Sequence, residues 1–280
     1  LDFSQVLAGP FATQLMAQLG AQVIKVEQPV GGDMTRGLMS ASSDGMAPSF
    51  LAANLGKRSL TLDLKNPKAK EIVHKLVAEA DVLVENFKPG TIERLGFGFE
   101  AMKAIKPDLV YASISGFGQT GPRANLPAFD GAIQAYSGRM SISGHAETGP
   151  VRSGYFSVDM STALNAAFAI TAALLRRTNT GEGQRVDVSM LDTAMFMQSP
   201  QMTGYLVSGK APELNGNASP TKQPTSNVFA SSNGYVQVIA MKETQVQALF
   251  TELGMPERYA EFNEPTVRLA RRDEVHSLIA

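Results

Sequence analysis

Residues 1–27, LDFSQVLAGPFATQLMAQLGAQVIKVE, decide the fold. Residues 1–6 read as a strand, 10–19 as a helix closed by Gly20, and 22–27 as a second strand, all joined by short connections. The same alternation continues downstream. SLTLDL (59–64) has the period of a half-buried strand, and Asn66 is placed to cap a helix with Pro67 in its first position and its end near Ala80. DVLVEN (81–86) and DLVYASIS (108–115) are further strands, with short helices around Glu93 and over 99–106 between them. RVDVSMLDTAMFMQS (185–199) adds one more strand and helix. Strand and helix in strict turn predict an α/β domain with a mainly parallel sheet flanked by helices.

The composition then shifts. SGKAPELNGNASPTKQPTSN (208–227) is rich in Ser, Asn, Pro and Gly and reads as a linker. NVFASSNGYVQVIAM predicts a hairpin turning at Asn233-Gly234, followed by helices over about 243–253 and 272–279. The expected organisation is a large domain over 1–205, a linker over 206–227 and the start of a smaller α+β domain over 228–280, incomplete at its C-terminal end. The chain opens directly in a strand without an initiator Met, so a few residues are expected in front of Leu1.

Composition narrows the function classes. The 280 residues are 44% hydrophobic and 18% charged with a net charge of −1, and no Lys/Arg cluster exceeds a pair, which argues against a nucleic-acid partner. The absence of Cys removes disulfides, thiol catalysis and Cys-ligated zinc. The strongest apolar run, 163–175, is interrupted by Thr171 and is too short to span a bilayer, so no membrane segment is expected and a cytoplasmic location is the default. VLAGPFATQ lacks the glycine spacing of a dinucleotide fingerprint, and GFGQTG (116–121) is not followed by a helical pattern, so it reads as an active-site loop.

Asp159 stands in SVDMSTALNAAFAITAALL, at the start of a helix apolar on nearly every side and therefore expected to be buried. An acid there can cap the helix, accepting its free N–H groups. The same position can instead hold a poorly solvated carboxylate able to attack an activated carbonyl. The segment alone leaves both readings open.

Several strings in order, LAGPFATQLMAQLGAQVIKVEQP, GGDMTRG, NLGKRSLTLDLK, ADVLVENFKPGTIERLGF, ISGFGQTGP and TGEGQRVDVSMLD, resemble the class III CoA-transferases, the group of formyl-CoA transferase, carnitine CoA-transferases and α-methylacyl-CoA racemases. The resemblance covers almost the whole chain. It implies a CoA-binding α/β domain, a small domain and an intertwined homodimer. It also implies acyl-CoA and a small carboxylic acid as substrates, and neither a metal nor a prosthetic group. By resemblance Asp159 is the catalytic nucleophile, forming an acyl-aspartyl anhydride and then an aspartyl-CoA thioester. The positions implied to contact CoA are Leu7, Ala8, Gln28, Leu62, Asp63, Leu64, Lys65, Asn86, Phe87 and Arg94, with Arg36 and Arg58 as secondary candidates. The same resemblance implies that Phe129 and Asp130 stand next to the CoA thiol. Racemases of the group carry His where this chain has Phe129, and a phenyl ring accepts no proton, so transfer is favoured over racemisation. A non-catalytic CoA-binding protein is the alternative from a different class.

Overall fold

The computed structural model describes residues 1–38 and 46–280. Residues 1–3 run between two strands. Asp2 N donates to Ile24 O, and Phe3 N donates to Val84 O, each at 2.8 Å. The pairing stops at Phe3 rather than at Val6, because Asp2 Oδ1 accepts the Ser4 N–H and hydroxyl and bends the chain away. Helix α1, Ala8–Gln18, begins two residues earlier than its pattern predicts and ends before Gly20, whose φ of +99° suits a residue without a side chain. Strand β1 is Ile24–Glu27. Helix α2, Pro48–Asn54, lies in a stretch whose pattern shows no helix, and β2 is Arg58–Thr61. Helix α3, Pro67–Glu79, forms as its cap predicts, with Asn66 Oδ1 accepting from Lys68 N at 3.0 Å. Strand β3 is Val82–Glu85, the short helices are α4 (Thr91–Arg94) and α5 (Phe99–Ile105), and β4 is Val110–Ser115. Helix α6 covers Asp130–Tyr136, and Gly144–His145 and Gly149–Pro150 form the small antiparallel pair β5 and β6. The remainder of the large unit is α7 (Ser157–Thr180), β7 (Gln184–Ser189), α8 (Met190–Phe196) and α9 (Ser199–Ser208).

Parallel pairing gives the order β2, β1, residues 1–3, β3, β4, β7. The first segment of the chain is therefore central, with β1 and β2 laid to one side of it and β3, β4 and β7 to the other. In open parallel sheets the crevice beyond the carboxyl ends of the strands, where the order reverses, is where ligands bind. Here that point follows residues 1–3. Both faces are covered. Ala8 and Ala12 of α1 and Ala163, Ala166, Ile170 and Ala173 of α7 pack on Val84, Val110, Ile114 and Val186. Phe3, Val73, Val77, Leu83, Phe97 and Tyr111 fill the opposite side.

Helix α7 departs from expectation in two ways. It is 24 residues long, so by length and composition alone it is apolar enough to cross a bilayer, and the argument from a short apolar run does not hold. It is also not buried all round. Its alanine-rich face packs on the sheet, while Leu164, Phe168 and Leu175 are 58%, 73% and 64% exposed.

A second compact unit comprises residues 140–152 and 210–280, so the β5–β6 pair clusters with it although it lies inside the stretch read as the large domain. It contains the hairpin of β8 (Ser226–Ser231) and β9 (Gly234–Ile239), then α10 (Glu243–Glu252), α11 (Pro265–Ala270) and α12 (Arg272–Ile279). Ala240, Val246, Phe250, Phe262 and Val275 form its core. Hairpin and helices together make this unit α+β.

Candidate active site

The carboxyl ends of the strands carry two hollows within the large unit. The smaller, about 90 Å³, is lined by Leu7, Ala8, Asn86, Phe129 and Asp159, together with Val6 and Gly116. The larger, about 170 Å³, is lined by Gln28, Leu62, Asp63, Leu64, Lys65 and Phe87, among others. Asn86 stands at the floor of the first. Its side chain is committed to the backbone of Gln5, accepting the Gln5 N–H at 2.8 Å and donating to Gln5 O at 2.7 Å. That pair of bonds ties the end of the central segment to the end of β3.

Not every expected CoA contact falls in these hollows. Arg94 lines neither; it is exposed and donates to Thr91 Oγ1 at 2.9 Å. Gln28 and Lys65 are exposed at the rim of the larger hollow. Arg36 is held by Glu27 through two contacts of 2.8 Å and lies over the Phe50 ring, and Arg58 is 3.5 Å from Gln22 Oε1.

Asp159 is in the first turn of α7, but it does not cap that helix. The N–H groups of Val158 and of Asp159 itself both donate to Asp130 Oδ2, at 2.7 and 3.1 Å. The cap comes from a side chain 29 residues upstream in sequence, and a cap of this kind contributes about 1 kcal/mol. Asp130 is buried and is itself gripped by Gln134 Nε2 at 2.5 Å, while Gln134 Oε1 accepts from Ser153 N at 2.9 Å. Arg139 donates to Ser157 Oγ on the same turn. The capping reading of Asp159 is thereby overturned: Asp130 holds the helix and leaves the Asp159 carboxylate facing the hollow with no hydrogen bond from any described residue.

The electrostatics follow. Burial, reinforced by the negative charge of Asp130, pushes the Asp159 carboxyl from 3.8 up to about 7. Gly116 is a structural requirement of the same site. A Cβ there would sit 2.1 Å from the Cβ of Ala128, so only glycine lets the loop after β4 pass beneath the segment that delivers Phe129 and Asp130. Phe129 is 70% exposed and forms part of the wall of the hollow. Across from Asp159 lies the start of α1, which has no side-chain cap; the N–H groups of Leu7 and Ala8 have no acceptor among the described residues.

The model of CoA-transferase family III matches residues 1–280, the entire chain. The chain belongs to that family. A succinate–glutarate CoA-transferase of Agrobacterium fabrum is 37% identical, over 100% of this chain and 72% of its own length. A succinyl-CoA:mesaconate CoA-transferase of Haloarcula marismortui is 39% identical, again over 100% of this chain and 72% of its own. Among solved structures, a CAIB/BAIF family protein from Brucella suis superposes with a TM-score of 0.90 at 38% identity, covering 99% of this chain and 74% of that one. This family III CoA-transferase thus has the α/β fold and the enzyme class that the motif strings implied.

Proposed function

We propose that the protein moves CoA between short dicarboxylic acids through covalent intermediates on Asp159. The observation that carries this reading is the Asp159 carboxylate, relieved of capping by Asp130 and exposed to a hollow at the switch point of the sheet. The acids named for the relatives above, succinate, glutarate and mesaconate, support the substrate class.

A carboxylate oxygen of Asp159 attacks the thioester carbonyl, the C–S bond breaks, and CoA leaves as a thiolate with the electron pair, giving an acyl-aspartyl anhydride. The thiolate then attacks the aspartyl carbonyl, releases the donor acid as a carboxylate and leaves an aspartyl-CoA thioester. The acceptor carboxylate attacks that thioester, forming a second anhydride and freeing the thiolate. The thiolate finally takes the new acyl group and regenerates Asp159. Each step exchanges one activated acyl group for another, so no external energy source enters.

The free N–H groups at the start of α1 are suitably placed to stabilise the oxyanions that form on the way. The hollow lined by Gln28, Leu62, Lys65 and Phe87 is the proposed seat of the nucleotide end of CoA, whose binding supplies positioning. Phe129, which cannot shuttle a proton, disfavours racemisation. Incubating the protein with succinyl-CoA and then hydroxylamine is expected to place a hydroxamate on the peptide containing Asp159. Turnover without a hydroxamate there would refute the covalent route.

The outward stripe of Leu164, Phe168 and Leu175 supports a second copy of this chain as the partner of α7. Phe168→Asp is expected to convert a dimer into a monomer in light scattering; a wild-type protein that is monomeric at micromolar concentration would refute the homodimer.

A further inference from the structure

Val6 has a φ of +69° and lines the hollow that contains Asp159. For a β-branched residue this left-handed conformation is a genuine outlier, and such outliers persist only where the surroundings hold them. Two buried ion pairs surround this turn. On one side, Asp33 Oδ1 accepts the Val6 N–H at 3.3 Å while Asp33 Oδ2 stands 2.9 Å from Lys25 Nζ, which also donates to Ser4 O at 2.7 Å. On the other, Asp2 accepts the Ser4 N–H at 2.9 Å, and its Oδ2 is 2.8 Å from Lys57 Nζ and 2.7 Å from Thr13 Oγ1. Gly9 completes the clamp, since a Cβ there would lie 2.3 Å from the Cβ of Ser4.

Buried ion pairs are poor sources of stability compared with well-packed apolar groups, because desolvation offsets most of their attraction. What the Lys25–Asp33 pair provides instead is a carboxylate locked in place, whose Oδ1 is shared by the N–H groups of Val6 and Thr35 and by the Thr35 hydroxyl. Asp33 also caps the short helical turn at 34–37, accepting from Thr35 N at 2.9 Å, so its position is set from three directions. The bonds to Ser4 and Val6 among these, and the close approach of Gly9 to Ser4, converge on the turn that feeds α1 into the site.

We propose that Asp33 is a positioning residue for CoA transfer, keeping Val6 in its left-handed turn so that the start of α1 stands opposite the Asp159 carboxylate. The proposal rests on the reading of Asp159 as nucleophile. It makes Val6 a site of local strain that serves geometry, and it predicts that releasing the clamp harms catalysis more with valine at position 6 than with glycine.

The test is steady-state transfer from succinyl-CoA to glutarate, with thermal melting, for Val6→Gly, Asp33→Ala, Asp33→Asn and the double variant V6G/D33A. Val6→Gly, which keeps every partner of Asp33, is expected to melt no lower than wild type. Glycine takes the left-handed conformation without strain, so the kcat of this variant is the reference for the double variant. Asp33→Ala should lose kcat by about 10-fold or more while KM for succinyl-CoA stays within about 2-fold, the size of loss that a displaced catalytic wall produces. In the double variant the loss relative to Val6→Gly should be smaller than that of Asp33→Ala relative to wild type, because glycine needs no clamp to hold the turn. Asp33→Asn keeps an acceptor for the Val6 N–H but breaks the buried pair with Lys25, so it should melt lower than wild type and lose less kcat than Asp33→Ala.

An Asp33→Ala protein with wild-type kcat, or losses that multiply in the double variant, would overturn the role of Asp33. If Asp33→Ala does not fold, the same comparison is made with Asp33→Asn, whose weaker hold on the Val6 N–H should cost kcat in the wild-type background and less in Val6→Gly. Wild type that transfers and is trapped at Asp159 while Asp33→Ala is unimpaired overturns the positioning role alone. Wild type that neither transfers nor is trapped overturns the nucleophile reading and this proposal with it.

Discussion

Asp159→Asn is expected to lower transfer by about 10³-fold or more, since no described neighbour offers the hollow a second carboxylate free to attack, and an amide is a far weaker nucleophile. The same substitution should stabilise the unliganded protein at alkaline pH. The folded-state value of about 7 lies above the ordinary 3.8, so folding favours the protonated acid. The contribution is fully present below pH 3.8 and is lost as pH rises through about 7. The interval sets an upper bound of about 4 kcal/mol, and solvent access to the half-buried group reduces the expected gain to about 2 kcal/mol. Urea unfolding of both proteins at pH 5 and pH 8 checks this. The gap should open on going to pH 8, and equal midpoints at both pH values would contradict the burial argument. In the active protein the nucleophile must be ionised, so kcat/KM for the acyl-CoA should rise with pH to a plateau above about 7.

The second large effect is expected at Asp130. Replacing it with Ala removes two backbone hydrogen bonds from the start of α7 and the partner of Gln134, leaving the turn that carries the nucleophile loosely held. A fall in kcat of about 10²-fold is the expected scale for such a displacement. The loss of its negative charge acts in the opposite direction on ionisation, lowering the Asp159 pKa. The pH midpoint of kcat/KM should therefore move down while the plateau of kcat drops. Asp130→Asn keeps one acceptor oxygen for the N–H groups of Val158 and Asp159, without the charge and without the oxygen that takes Gln134 Nε2, and should recover part of the rate with the lowered midpoint retained. Unchanged kcat in Asp130→Ala would show that the cap does not position Asp159.

What could be read from residues alone was local. The cap at Asn66 with Pro67 depends on contacts within three positions, and it formed as written. The period-2 and period-3.6 patterns gave the order of strands and helices, and the parallel sheet followed from their alternation. The features missed are those in which a distant side chain overrules a local preference. Asp159 has the position of a cap, yet Asp130, which no spacing rule connects to it, takes the N–H groups. Nothing in VLAGP announces a left-handed Val6; Asp33, 27 positions away, holds it there. The one-sided burial of α7 was hidden for a different reason, since its outward residues are as apolar as its inward ones and hydropathy cannot tell a core face from an unpartnered one. Of the positions that the motif strings implied, Leu7, Ala8, Asn86, Phe129 and Asp159 line one hollow and Arg94 lies outside it.

The strand order has a bearing on how the polypeptide is made. Residues 1–3 precede in sequence both strands they pair with yet sit mid-sheet, and β4 gains its second neighbour only when residues 184–189 emerge. Until then a nascent chain carries an unpaired apolar edge of Val110, Ala112 and Ile114, the kind of surface on which partly made chains associate. Long-range parallel pairing of this sort is also slow to close. The exposure of that edge during synthesis is a consequence of the topology, which pairs β4 with a strand made about 70 residues later.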